Sequence, residues 1–317
     1  NNTAVGQNAL KTLTTANRST AIGWDALTDS TSDDCTAVGA GALFTNSTGA
    51  DNTAVGAYAL HANTTGGSNV AVGMDCLKAN TTGVRNVAVG SEAYNASDTE
   101  NDNTAIGHGA MTTNTQGGQQ NTAVGSVAMD GLTSADNSTG IGYHALGGLT
   151  SGTACTGLGS LAGENIVGNA NSMCLGYNAQ PSSNSVDNEI TFGDANISAL
   201  RSADQSIAAL SDGRDKTDVV DLPHGLDFIN QTRPVRFKWD IRDGQPGEGK
   251  QGTTNYGFIA QELLEIGNNE EHRLVYESNP DKLEARYSNL IPMMAQAIKE
   301  LSAQNADLLA RIETLEG

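Results

Sequence analysis

Hydrophobic and polar positions alternate in a short unit that recurs along the first two-thirds of the chain. The unit is a Thr-Ala-Val-Gly-like tetrapeptide that ends in a glycine. Nine of the eleven gaps between these glycines are 17 residues long, one is 16 and one is 18. A fixed period just below 20 residues is typical of a stacked structure in which each repeat contacts only its neighbours. The glycines are Gly6, Gly23, Gly39, Gly56, Gly73, Gly90, Gly107, Gly125, Gly142, Gly159, Gly176 and Gly193.

The copy at residues 52–60 shows how one repeat is expected to fold. Thr53 and Val55 alternate with Ala54 and Gly56, which predicts a short strand with β-branched residues on one face and small residues on the other. We expect a second short strand at the Ala-Leu pair 59–60 and a turn at Asn-Thr-Thr-Gly 63–66. Residues 1–195 are therefore predicted to form a β-rich shaft, a parallel β-roll or β-helix of twelve coils of about 17 residues.

The pattern changes after residue 195. Residues 196–210 are predicted to be a transition segment, and a compact α/β domain is predicted over 211–290, where Arg, Lys, Phe and Pro become more frequent. Within it, residues 235–239 are predicted to form a strand. Residues 256–260 are predicted to form a second strand that leads into a helix at 261–265.

Residues 291–317 have the heptad pattern of a coiled-coil helix. Apolar residues occupy seven of eight consecutive a and d positions, and the eighth is Asn305 at an a position, where a polar residue fixes register and oligomer number. A single amphipathic helix packed on its own domain is the alternative, but the unbroken pattern favours a coiled coil. The predicted trimerisation positions are Ile291, Met294, Ile298, Leu301, Asn305, Leu308, Ile312 and Leu315.

Composition and charge narrow the classes of function. The 317 residues carry a formal net charge of −19, so binding of nucleic acid is disfavoured. No apolar run approaches the length of a membrane span, so we expect no membrane insertion. Cys35, Cys76, Cys155 and Cys174 show no metal-ligand spacing. We therefore predict buried thiols in repeat slots, no metal and no cofactor. The chain begins at Asn1 rather than Met, as a fragment of a longer protein would.

The repeat, Asn-Thr-Ala-Val-Gly followed by Ala, resembles the head repeat of trimeric autotransporter adhesins over about residues 1–195. The resemblance implies a left-handed parallel β-roll that assembles as a parallel homotrimer. The coil here is longer, with an enlarged variable loop. Those adhesins end in a membrane-anchor set of β-barrel strands, which this sequence lacks. A bacterial surface adhesin fragment is therefore the second hypothesis.

Three segments together resemble the endosialidase-type intramolecular chaperone domain, over about residues 211–317. They are Leu-Ser-Asp-Gly-Arg-Asp-Lys at 210–216, Gly-Phe-Ile-Ala-Gln-Glu at 257–262 and the stretch 287–301. That family lies at the C-terminus of phage tail spikes and fibres, trimerises, guides folding of the preceding shaft and releases itself by autoproteolysis. The resemblance implies a tail fibre of the virion, assembled in the host cytoplasm. Its partners would be two further copies of itself, upstream tail components and a host surface receptor, either a glycan or an outer-surface protein.

Ser211 and Lys216 match the catalytic dyad of that family. A serine hydroxyl is a weak nucleophile, and a lysine activates it only in its neutral form. Arg214 is expected to favour that form, whereas Asp212 and Asp215 oppose it, and Asp215 could instead orient the dyad or activate water. Cleavage is predicted at the Ser211–Asp212 bond, with Leu210–Ser211 as the alternative. The only enzymatic activity expected is this single-turnover serine autoproteolysis.

Aromatic and histidine residues beside the repeat glycines are candidate receptor contacts. Trp24, His108, Tyr143 and Tyr177 directly follow such a glycine, and Tyr58 lies one position further on. On an outward face they could stack on sugar rings. Their scattered positions favour the alternative that they fill gaps at coil corners or trimer interfaces. A glycan-degrading tail spike, the third hypothesis, would need paired carboxylates, and we predict no such pair in the shaft.

Overall fold

The computed structural model describes residues 1–12, 17–114, 116–197, 199–201, 211–240, 252–267 and 269–316. The chain divides into two compact units, Asn1–Asp194 and Ala195–Gly317. Leu210 and most of the predicted transition segment 196–210 lie outside the described residues.

The first unit is a parallel β-solenoid with one three-residue strand per coil. Its twelve strands pair in chain order, each with the next. In one such pair Thr53 lies opposite Val70 and Ala54 opposite Ala71. This arrangement confirms the predicted fold of the shaft. The strands are β1 (Thr3–Val5), β2 (Thr20–Ile22), β3 (Thr36–Val38), β4 (Thr53–Val55), β5 (Val70–Val72), β6 (Val87–Val89), β7 (Thr104–Ile106), β8 (Thr122–Val124), β9 (Thr139–Ile141), β10 (Thr156–Leu158), β11 (Met173–Leu175) and β12 (Ile190–Phe192).

Small residues point into the solenoid, as the alternation predicts. Ala54, the middle residue of β4, is fully buried, whereas Thr53 and Val55 on either side of it are partly exposed. The repeat glycine is required by the stacking. Gly56 has φ +138°, and a Cβ there would lie 2.3 Å from the carbonyl oxygen of Gly73 in the next coil. Coils can approach this closely only where that position has no side chain.

The predicted second strand at residues 59–60 is wrong. Ala59 and Leu60 lie in consecutive turns. Tyr58 and Leu60 have φ of 58° and 49°, in the left-handed region that a strand excludes. Hydrogen bonds between coils hold this conformation. The Leu43 N–H donates to the Ala59 carbonyl, and the Leu60 N–H donates to the Cys76 carbonyl, each over 3.0 Å. Stacked turns therefore replace a second sheet on this side of the solenoid.

Buried asparagines form ladders that run from coil to coil. Asn63 Nδ2 donates to Asn46 Oδ1 over 2.6 Å, and Asn80 Nδ2 donates to Asn63 Oδ1 over 2.8 Å. In a second ladder the backbone N–H of Asn69 donates to Asn52 Oδ1 over 2.9 Å. All five side chains are buried, and these hydrogen bonds satisfy amide groups that water does not reach, although Asn80 Oδ1 has no partner among the described residues. The ladders hold neighbouring coils in register.

The cysteines also belong to the interior of the solenoid, as predicted. Cys35, Cys76, Cys155 and Cys174 are buried and free. Burial raises the pKa of Cys76 and of Cys174 to about 12. Thiols in this state are unreactive at neutral pH, which is consistent with a packing role.

The second unit has its own small core, formed by Phe228, Leu263, Leu274, Val275, Leu290 and Met293. Strands at Val235–Lys238 and Thr254–Gly257 pair antiparallel and a helix follows at Ala260–Ile266, which confirms the predicted order of two strands and a helix, although the second strand ends three residues earlier than predicted. Its elements are a 3-10 turn (Gly213–Asp215), α1 (Leu226–Ile229), β13 (Val235–Lys238), β14 (Thr254–Gly257), α2 (Ala260–Ile266), α3 (Asn269–His272), β15 (Val275–Tyr276), β16 (Glu284–Ala285), a second 3-10 turn (Tyr287–Asn289) and α4 (Leu290–Glu316).

The long helix α4 packs on this core by one face of its first three turns. Leu290, Met293 and Ala297 are its buried residues. Glu300 also ties α4 to α1, because its Oε2 accepts a hydrogen bond from the Leu226 N–H at the start of that short helix, over 2.7 Å. The contact explains the glycine before Leu226, since a Cβ at Gly225 would lie 2.1 Å from the Glu300 carboxylate. None of the described helices is both long and apolar enough to cross a membrane.

Candidate functional site

The two residues of the predicted catalytic dyad, Ser211 and Lys216, lie in contact at the beginning of the described segment 211–240. Lys216 Nζ donates a hydrogen bond to Ser211 Oγ over 2.6 Å and lies 3.4 Å from the Ser211 carbonyl oxygen. Both residues are exposed. A nucleophile within hydrogen-bond reach of its base is the geometry that general-base activation requires.

A single 3-10 turn brings the two residues together. Asp212 caps this turn, because its carboxylate accepts a hydrogen bond from the Arg214 N–H over 2.9 Å. The Lys216 N–H closes the turn on the Gly213 carbonyl, over 3.4 Å. The chain thereby reverses between Ser211 and Lys216, and the long lysine side chain reaches back to the serine.

The Arg214 side chain contacts Asp212. Its guanidinium folds back onto the Asp212 carboxylate, with Nη2 2.5 Å from Oδ2. The side-chain hydrogen bond from Arg214, and after it the backbone N–H of the same residue, lowers the pKa of Asp212. Asp212 is therefore a firmly held anion that stabilises the turn. Asp215 is exposed on the same turn and donates its backbone N–H to the Asp212 carbonyl over 3.2 Å.

The predicted trimerisation residues lie in one stripe along α4. Their spacing of three and four residues puts them on the same face of the helix. The seven apolar members are between 46 and 86 % exposed, and Asn305 among them is exposed as well. A continuous apolar stripe of this length is typical of an interaction surface. It is separate from the face that packs on the core through Leu290, Met293 and Ala297.

The predicted receptor residues do not form one patch. Trp24, His108, Tyr143 and Tyr177 are all exposed, but they lie on coils that are not adjacent. Because they share the slot after the repeat glycine, they line one edge of the solenoid at intervals. The fifth residue, Tyr58, has a different environment.

Tyr58 belongs to a cluster of side chains on three successive coils. Its ring packs edge-on against His61, with 5.5 Å between centroids, and His61 stacks on Phe44 with 5.1 Å between centroids. Lys78 Nζ lies 5.4 Å from the centre of the Tyr58 ring. Sequence analysis missed this cluster, although a signal was present. Phe44, His61 and Lys78 are 17 residues apart and share one repeat slot.

A second missed group lies in the second unit, where His224 meets Glu271 and His272. His224 belongs to the loop before α1, and the other two residues belong to α3. No spacing motif connects positions so far apart in the sequence, so only the fold brings them together.

Comparison with known protein families supports the assignment of the dyad region. Residues 211–272 match the model of the family described as chaperone of endosialidase. The match begins at Ser211 and includes the turn that carries Lys216. It covers less than half of the chain, and it confirms the resemblance of this region to that chaperone family. The same chain matched no curated protein.

Proposed function

We propose that this chain is part of a trimeric viral tail fibre that attaches to a host receptor. Its C-terminal domain would act as an intramolecular trimerisation chaperone and then cleave the chain next to Ser211. One observation carries the proposal. The 2.6 Å contact between Ser211 Oγ and Lys216 Nζ lies at the first residues of the segment that matches the chaperone family.

The chemistry begins when a neutral Lys216 takes the proton of the Ser211 hydroxyl. Attack of Oγ on the carbonyl carbon before Ser211 closes a five-membered ring, whereas attack on the residue's own carbonyl closes a strained four-membered ring. Within one chain the first route is favoured. The C–Oγ bond forms as the Leu210–Ser211 C–N bond breaks, and the proton passes from Lys216 to the leaving amine. Water then hydrolyses the ester, leaving a carboxylate on Leu210 and restoring the serine hydroxyl.

Cleavage of the other bond needs a different nucleophile. Breaking the Ser211–Asp212 bond, which sequence analysis preferred, requires attack on the Ser211 carbonyl by the serine of another chain or by water. Asp215, exposed on the same turn, is the carboxylate placed to activate such a water. The two routes give fragments that differ by one serine residue.

Assembly offers a means of timing the reaction. Both members of the dyad are exposed in a single chain. Burial disfavours the charged form of a lysine, and only the neutral form can act as a base. Docking of three chains would exclude water from this turn. Cleavage would then follow trimerisation and would not occur in an unassembled chain.

The trimer itself is supported by the apolar stripe on α4. Seven apolar side chains at a and d positions remain about half exposed or more in the single chain, which leaves them available to partner helices. A C-terminal coiled coil would hold three solenoids at high effective concentration. We propose that receptor binding occurs on the solenoid, with the Tyr58 cluster as one candidate for contact with a glycan.

The proposal is tested by the intact mass of the purified chain over a time course at neutral pH. Wild type and Ser288→Ala, a serine control in the same unit, should yield two fragments that divide beside Ser211. Ser211→Ala and Lys216→Ala should stay intact. The fragment masses identify the bond. A wild-type chain that forms trimers but remains intact would overturn the cleavage step, and a monomeric chain would overturn the chaperone.

A further inference from the structure

We propose that His224, Glu271 and His272 form a binding site for a divalent transition-metal ion, and that zinc is the ion this site fits best. The three side chains offer two imidazole nitrogens and one carboxylate oxygen. These ligand atoms all lie within 4.8 Å of one another. Two histidines and one carboxylate are a ligand set that recurs in zinc proteins.

The distances are close to those that the ion requires. Zinc in a tetrahedral site lies about 2.1 Å from each ligand, which sets the ligands about 3.4 Å apart. His224 Nε2 is already 3.6 Å from Glu271 Oε1. The Glu271 side chain is 60 % exposed, so small rotations can bring its carboxylate into place without disturbing the core.

Packing holds the two imidazole rings in position. The ring centroids of His224 and His272 are 4.5 Å apart, and both rings also contact Phe228, at 5.5 and 5.2 Å. Phe228 belongs to the core of the unit. Gly267 leaves space for the second ring, since a Cβ there would lie 2.9 Å from His272 Cδ2. Rings fixed in this way are preorganised for binding, so little entropy is lost when an ion enters.

The chemistry of the ligands selects the ion. Imidazole suits Zn²⁺, Ni²⁺, Cu²⁺ and Co²⁺, whereas Mg²⁺ and Ca²⁺ prefer oxygen ligands alone. A cavity of about 380 Å³ adjoins the three side chains and is also lined by Asp221. The Asp221 carboxylate or a water molecule would supply the fourth ligand.

Binding would join two segments that are distant in the sequence. His224 lies in the loop that leads from the dyad turn to α1, and Glu271 and His272 close α3. The ion would clamp this loop against α3 and stiffen the part of the unit that follows the dyad. Sequence analysis predicted no metal, because it examined the spacing of the cysteines and this site uses none of them.

The test uses the full chain carrying Ser211→Ala and no affinity tag. This variant lacks the serine that self-cleavage would need, so every molecule has the same covalent structure. Zn²⁺ is titrated in competition with a chromophoric chelator, and Co²⁺ binding is followed by its visible absorption. Glu271→Gln removes the anionic ligand from an exposed side chain, and Glu270→Gln is the matched control on the same helix. His224→Gln and His272→Gln, singly and together, remove the imidazoles. Hydrogen exchange of peptides covering 221–225 and 269–272 reports where the ion acts.

We expect one tightly bound Zn²⁺ per chain, an absorption typical of tetrahedral Co²⁺, and slower exchange in both peptides when Zn²⁺ is present. Glu271→Gln should weaken binding at least tenfold, the double histidine variant should lose it, and Glu270→Gln should bind as the parent does. The proposal is overturned if the parent binds no stoichiometric Zn²⁺, or if the double histidine variant binds it as tightly as the parent. If the histidine variants misfold, the proposal is still overturned when Glu271→Gln and Glu270→Gln bind Zn²⁺ with equal affinity.

Discussion

Leu308 and Leu309 in α4 give the sharpest test of the proposed coiled coil. The two leucines are neighbours, and they are 51 % and 61 % exposed in the single chain. In the predicted heptads Leu308 occupies a d position in the seam, whereas Leu309 occupies the following e position. Leu308→Ala should therefore weaken the trimer, and Leu309→Ala should have little effect.

The exposed fraction sets the size of the effect. Full burial of a leucine side chain is worth about 1.5–3 kcal/mol, so burying the exposed half of Leu308 contributes about 0.8–1.5 kcal/mol in each chain. With Leu308→Ala in all three chains, the free energy that favours trimer formation falls by about 2–5 kcal/mol. At about 1.4 kcal/mol for each factor of ten, the trimer dissociation constant rises by roughly 30- to 3000-fold. Because that constant has the dimension of a squared concentration, the chain concentration at half-assembly rises about 5- to 50-fold.

Sedimentation equilibrium on residues 195–317 carrying Ser211→Ala measures this directly. The segment is a compact unit with its own hydrophobic core. Leu309→Ala should shift the half-assembly concentration by less than about threefold, since surface substitutions change stability by about 0.5 kcal/mol or less per chain. A shift for Leu309→Ala that equals or exceeds that for Leu308→Ala would refute the predicted register. A monomeric parent at all concentrations would refute the coiled coil.

Three further predictions concern the solenoid and the dyad turn. Gly56→Ala should abolish the native solenoid, because the new Cβ would lie 2.3 Å from a carbonyl oxygen of the next coil. Gly117→Ala, with φ +99° but open space around it, should cost only about 1–3 kcal/mol of backbone strain, and equal losses of soluble folded protein would contradict the steric argument. Asn63→Leu should lower the free energy of unfolding by about 1–3 kcal/mol, because a buried amide oxygen of the preceding coil loses its donor; an unchanged thermal midpoint by circular dichroism would count against the ladder. Arg214→Ala should raise the pKa of Asp212 toward its ordinary value, because the variant loses the side-chain hydrogen bond that is the largest cause of the lowering and keeps only the backbone one. Stabilisation of the turn by Asp212 is present above its unfolded-state pKa and is lost as the pH falls through the lowered folded-state pKa. The wild-type turn should thus persist to lower pH than the variant's in a carbon-13 NMR titration, and coincident titrations would exclude this role for Arg214.

The solenoid strands could be predicted from the sequence because their determinants are local and repeated. Thr53, Ala54 and Val55 carry the alternation of a strand, and a similar pattern recurs in most coils. The turn at Tyr58 and Leu60 could not be predicted in this way. Residues other than glycine rarely adopt positive φ, and here hydrogen bonds to residues about 17 positions away hold them there. The conformational preferences of the residues within one coil do not reveal hydrogen bonds to the neighbouring coils.

The same distinction separates the two clusters of polar side chains in the second unit. Ser211 and Lys216 are five residues apart, so one turn brings them together and the sequence indicates the pair. From the sequence, Arg214 is two residues from either Asp212 or Lys216, and only the geometry of the turn decides between them. His224 and Glu271 meet because the loop before α1 lies beside α3 in the folded unit. No periodic pattern reports that packing.

The near-identity of the coils explains why such a shaft would need a separate chaperone. β4 pairs its Thr-Ala-Val with the Val-Ala-Val of β5, and β3 carries the same Thr-Ala-Val as β4. In the proposed trimer, a slip of one coil between chains would preserve most contacts. The free-energy difference between correct and slipped alignments would then come mainly from the chain ends and the two coils of irregular length. Parallel pairing of this kind also forms slowly, because its contacts are distant in the sequence. That trimer would therefore need a register device outside the solenoid, and α4, with one polar residue at an a position, is suited to that role. Within each solenoid, the stacked asparagine ladders then hold neighbouring coils in register. A cleavage beside Ser211, which follows the last solenoid strand β12 and precedes α4, would remove the device without breaking a coil.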